Sequence, residues 1–107
     1  MKLTPVEQER LWVFLAAELA RKRHAAGLKL NHPEAVALIT DEVIEAARAG
    51  KSYDEARQIG YSALSEGDVI DGVSDLVGRL QVEGLFEDGT QLVTLYSPIK
   101  NSAGAPQ

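Results

Sequence analysis

Gly27-Leu28-Lys29-Leu30-Asn31-His32-Pro33-Glu34-Ala35-Val36-Ala37-Leu38-Ile39 places a helix stop, a short link and a helix start within thirteen consecutive residues. Glycine adopts the left-handed conformation that ends a helix without the steric cost of a Cβ, so Gly27 closes the segment before it. Asn31 offers a side-chain oxygen to the free N–H groups at the start of the next helix, and Glu34, three residues on, completes a capping box. Pro33 lacks an N–H at a place where the helix has no acceptor for one. Two helices meeting at this link are therefore predicted.

Working outward toward the N-terminus, Thr4-Pro5-Val6-Glu7 repeats the start signal, with Thr4 as cap and Glu7 reaching back. The first helix is predicted from Pro5 to Ala26. Its centre, Leu11 to Ala17, is apolar nearly all the way round, which calls for cover on more than one side. Phe14 projects onto the sector of Arg10, Glu18 and Arg21, where a self-contained domain keeps a polar residue, and is the candidate partner contact.

Toward the C-terminus, the second helix is predicted from Pro33 to Ala49 with Gly50 as its stop. Ala35, Val36, Ile39, Val43, Ala46 and Ala47 form its core arc, with Leu38 and Ile44 outside that arc. Ser52 and Glu55 form a third capping box and open a helix predicted from Tyr53 to Leu64, followed by a turn and a short helical piece within Ser65 to Gly72. From Leu80 the pattern becomes extended on both sides of Asp88-Gly89. That dipeptide predicts a tight hairpin turn with Asp88 and Gly89 at the two central, positive-φ positions. The fold class is α+β, mainly helical: three main helices, a short helical piece and a C-terminal two-stranded β-hairpin. One domain over residues 1–99 is expected, with 100–107 as a small, polar, mobile tail.

Composition narrows the function. A formal charge of −5 speaks against a general attraction to phosphate or anionic lipid. With no cysteine there is no disulfide framework, thiolate nucleophile or Cys-based zinc site. The longest apolar run is seven residues, well below the ~20 of a membrane span, and Glu7, Glu9 and Arg10 before it do not match a signal peptide. A cytoplasmic chain with no membrane partner is predicted.

Chemistry-bearing residues are sparse. His24 and His32 are the two histidines; they read as a surface residue near a helix C-terminus and a capping-region residue, outside any HExxH spacing. Asp41, Glu42 and Glu45 share a helix face and are candidates for paired acid–base carboxylates, but read better as solvated surface. Ser52 and Ser65 read as caps rather than nucleophiles. No catalytic, cofactor-binding or metal-ligating residue is assigned to this chain. Three helices and a hairpin also describe a winged-helix nucleic-acid-binding regulator. Asp54 and Glu55 beside Arg57, and Glu83, Glu87 and Asp88 on the wing, would meet phosphate unfavourably, so no nucleic-acid partner is expected.

Several separated strings occur in one order: Leu3-Thr4-Pro5, Ala17-Glu18-Leu19-Ala20-Arg21, the stretch from Gly27 to Val43, Asp68-Val69 with Gly72-Val73, Gln81-Val82-Glu83, Asp88-Gly89-Thr90, Leu92-Val93-Thr94 and Pro98-Ile99. In these the chain resembles the gamma subunit of bacterial urease from Met1 through Ile99. The resemblance implies a noncatalytic structural subunit of a nickel-dependent urea amidohydrolase, which hydrolyses urea to ammonia and carbamate or carbon dioxide. It implies beta and alpha urease subunits as partners in a trimer of heterotrimers. It places the nickel in the large subunit, with no cofactor in this chain. The hairpin is the least typical region, with Gly84-Leu85, Glu87, Gln91 and Tyr96 standing where the family commonly carries other residues. A divergent gamma-like interaction domain without urease activity is the remaining alternative.

Overall fold

Three capping boxes set the helical frame of the computed structural model, which describes residues 1–99. Thr4 Oγ1 accepts the Glu7 N–H at 3.1 Å while the Thr4 N–H donates to Glu7 Oε1 at 2.8 Å, opening α1, Pro5–Ala25. Asn31 and Glu34 exchange the same pair of bonds at 3.0 and 2.9 Å and open α2, His32–Arg48. Ser52 and Glu55 do so at 3.2 and 2.8 Å and open α3, Tyr53–Ser62. Each exchange satisfies two backbone donors that the helix geometry leaves free. Gly27 and Gly50, at φ 86° and 90°, stop the first two helices as expected.

α3 ends two residues before the expected Leu64. A 3₁₀ turn at Glu66–Asp68 lies within the expected Ser65 to Gly72 stretch. A second short piece, α4 at Val73–Leu76, starts just past it, after Gly72 at φ 91°. The strands β1, Arg79–Phe86, and β2, Gly89–Tyr96, form an antiparallel hairpin whose register pairs Val82 with Val93 and Phe86 with Gly89. This corrects the predicted turn. The two residues between paired positions are Glu87 and Asp88, and neither has positive φ; among the described residues Ser97 is the one non-glycine that does. The positive φ, 122°, falls on Gly89, the position where type I turns favour glycine. The tail expected at 100–107 lies outside the described residues.

α2 is the central element. α1 packs antiparallel on one side of it, while α3 and β1 cover the other and β2 lies against α3. Cover on two sides explains why its buried surface exceeds the predicted arc: Leu38 is buried and Ile44 half-buried, although both lie outside that arc, and Val36 is only half-buried. Ile39 and Val43 are fully buried with Leu30, Val69, Val93 and Leu95. Two glycines let the layers close. A Cβ on Gly60 of α3 would lie 2.8 Å from Leu95 Cδ1 and 2.9 Å from Val43 Cγ2. One on Gly84 of β1 would lie 2.9 Å from the Phe86 ring and 3.3 Å from Ala47 Cβ.

The link between α1 and α2 is anchored across the fold. Leu30 bridges Val69, its N–H donating to Asp68 O at 3.0 Å and its carbonyl accepting the Ile70 N–H at 2.9 Å. Lys29 Nζ donates to Gly67 O at 3.2 Å. The stretch that decides the fold is thus a turn on its outer side and core at Leu30.

Candidate functional site

α1 contributes little volume to the core. Its fully buried residues are Ala17 and Ala20, Val13 is half-buried, and its other large apolar side chains face outward. Trp12 and Leu15 are each 67% exposed, with Leu11, Leu19 and Phe14 also exposed. Trp12, Leu15, Ala16 and Leu19, with the side chains of Glu18 and Lys22, line an open groove of about 710 Å³. An apolar stripe with a charged rim has the character of a docking surface rather than of a solvated helix face. Phe14 is exposed, as the sequence predicts, but stands at the edge of the α1–α2 seam. The more open residues Trp12 and Leu15 lie on the opposite side, a feature the all-round apolar pattern of α1 did not distinguish.

The seam itself is ionic. Arg10 Nη2 donates to Asp41 Oδ1 at 2.8 Å and to Glu45 Oε2 at 2.7 Å. Arg21 Nη2 donates to Asp41 Oδ2 at 2.7 Å and to Glu42 Oε2 at 2.6 Å, and Arg21 Nη1 pairs with Glu18. Partial burial works against the Arg21 charge, but the carboxylates of Asp41, Glu42 and Glu18 outweigh it and hold the guanidinium protonated well above its ordinary range. Asp41 is 1% exposed, which corrects the expectation of a solvated carboxylate cluster: Glu45 is exposed and Glu42 half-buried, whereas Asp41 is core. A buried carboxylate needs paired charge, and two arginines supply it. The signal in the sequence was Arg10 and Arg21, eleven residues apart and so on one face of α1.

The two histidines take structural places. His24, in the last turn of α1, pairs through Nε2 with Asp68 Oδ1 at 2.9 Å, and His32 is the exposed first residue of α2. Burial disfavours the charged form of Asp68, but bonds from the Ser65 N–H, the His24 ring and the Ser65 hydroxyl outweigh it and hold the carboxyl below its usual range. Among the described residues no three His, Cys, Asp or Glu side chains gather as a metal-ligand set. Ser52 caps α3, and Ser65 joins Asp68 in the cap of the 3₁₀ turn. On the side that a winged helix would present to nucleic acid, Asp54 and Glu55 flank Arg57, which pairs with Asp54 and lies over the Tyr61 ring. The hairpin exposes Glu83, Glu87 and Asp88, so this surface repels phosphate. No helix among the described residues is long and apolar enough to cross a membrane.

A small fold with an exposed apolar helix face matches a known family along its length. The family profile described as "Urease, gamma subunit" matches residues 1–99. Among curated proteins, the chain is 54% identical over 101 residues to urease subunit gamma of Corynebacterium kroppenstedtii, covering 94% of this chain and 100% of the relative. It is 55% identical over 100 residues to urease subunit gamma of Natronomonas pharaonis, covering 94% and 92%. The corresponding protein of a Ruegeria species is 51% identical over 100 residues, covering 94% and 100%. With the profile spanning every described residue, and relatives above half identity aligned nearly end to end, the chain belongs to the urease gamma subunit family.

Proposed function

We propose that this chain is the noncatalytic structural subunit of a urease and that it joins the beta and alpha subunits in a cytoplasmic trimer of heterotrimers. The single observation that carries the reading is the family match across residues 1–99. The outward apolar face of α1 agrees with it, because exposed Trp12, Leu15 and Leu19 cost solubility in an isolated chain and become useful only when covered. Phe14, exposed on another side of α1 beside the ionic seam, supplies a separate contact to the assembly. The urea-hydrolysing nickel centre belongs to the large subunit. When bound there, nickel supplies Lewis-acid polarisation and an activated water. In this reading the part of the present chain in catalysis is to hold the larger chains in place, as its family membership supports.

Co-expression with the neighbouring genes tests the reading. Copurification with a large nickel-binding chain is expected, and urea hydrolysis is expected only in the complex. Urea hydrolysis by the isolated chain, or a clean monomer in the presence of every candidate partner, would overturn it.

A further inference from the structure

The buried face of α1 is not its most hydrophobic one. Ala17 and Ala20 point at α2, whereas Trp12, Leu15 and Leu19 lie about 140° further round the same helix and point to solvent. Burial of apolar area, being non-directional, favours turning α1 so that those three larger side chains replace the two alanines and Val13. A contact built from two alanines and one half-buried valine, Val13, offers only a shallow ridge to resist such a rotation. What distinguishes the observed orientation is charge. Arg10 and Arg21 flank Ala17 on the inward side and close on the two oxygens of Asp41 at 2.8 and 2.7 Å, one arginine on each oxygen. Rotation would break both contacts and leave Asp41, 1% exposed, as an unpaired buried carboxylate.

We propose that Asp41 is an orientation pin: by gripping Arg10 and Arg21 it selects the packing of α1 in which the Trp12, Leu15 and Leu19 face stays outward. Fixing register is a known use of buried polar pairs, and here the same device fixes rotation. The pin stands on the seam alone. Its consequence, that a partner finds the apolar face presented, rests on the proposed function.

Trp12 is the one tryptophan of the chain and lies on the face in question, so its fluorescence reports the orientation directly. Asp41→Asn and Asp41→Leu are compared with the wild-type full-length chain, each confirmed as monomer by light scattering and as helical by circular dichroism. The pin requires both variants to stay helical while Trp12 emission moves to the blue and the acrylamide quenching constant falls severalfold. Unchanged Trp12 accessibility in the folded variants would overturn it. So would loss of helix in both variants, since α1 would then have no alternative packing to select against. Failure of the assembly reading is distinguishable: Trp12 would respond to Asp41 as described while no urease subunit copurified with the wild-type chain.

Discussion

His24 Nε2 and Asp68 Oδ1, 44 residues apart in sequence, lie 2.9 Å from one another and tie the last turn of α1 to the 3₁₀ turn after α3. With the Leu30–Val69 bridge beside it, this contact holds the α1–α2 link onto the body of the fold. Because the Asp68 carboxyl is held below its usual range, the folded chain binds its proton less readily than the unfolded chain does. Its contribution is complete above the unfolded value of about 3.9 and is lost as pH falls through the lower folded value. Urea midpoints should fall more steeply below pH 4 for the wild type than for Asp68→Asn. At pH 7 Asp68→Ala should be less stable by about 1 kcal/mol through loss of the cap.

Gly60 tests how closely α3 approaches the core. A methyl at this position meets Leu95 and Val43, both fully buried, inside ordinary contact distance. Overpacking costs about 1–3 kcal/mol, and the better helix propensity of alanine returns up to about 1 kcal/mol. Gly60→Ala should therefore lose roughly 1 kcal/mol in chemical denaturation, and Gly60→Val clearly more. An unchanged midpoint for Gly60→Val would refute the packing described.

The hairpin turn gives a test that separates two geometries. If Asp88 occupied a left-handed position, glycine there would stabilise the turn. Since Asp88 keeps negative φ, Asp88→Gly should instead cost about 0.5–1 kcal/mol in backbone entropy. Gly89→Ala, at φ 122°, should cost about 1 kcal/mol or more. The sign of the Asp88→Gly shift in a thermal melt decides between the two geometries, since Gly89→Ala is destabilising in either.

The docking face of α1 separates folding from assembly. Leu15 is 67% exposed, so Leu15→Glu should leave stability within about 0.5 kcal/mol of wild type. The same variant should lose copurification with the larger subunits. Phe14→Asp should weaken assembly while retaining helicity. Full assembly of Leu15→Glu would remove this face from the interface.

Much of the fold was legible because it is specified locally. The starts of α1, α2 and α3 follow from Thr4 with Glu7, Asn31 with Glu34, and Ser52 with Glu55, pairs whose bonds span three residues and need nothing from the rest of the chain. The stops at Gly27 and Gly50 are local for the same reason, since each glycine settles its own φ. The hairpin was legible as a hairpin, but the placement of its turn was not. Asp88-Gly89 is compatible with two registers, and the choice depends on Val82, Phe86, Val93 and Leu95 all reaching the core.

By itself, the sequence determined where the three main helices begin, where the first two stop, that a hairpin follows them, and that the centre of α1 is too apolar for a self-contained surface helix. Only the tertiary structure decided which face of α1 is hidden and that Asp41 is core rather than surface. Both turn on contacts between residues 20 and 31 positions apart. A helix whose centre is apolar nearly all the way round carries little local preference for its buried face, and a carboxylate goes inside here because the fold brings two arginines to meet it.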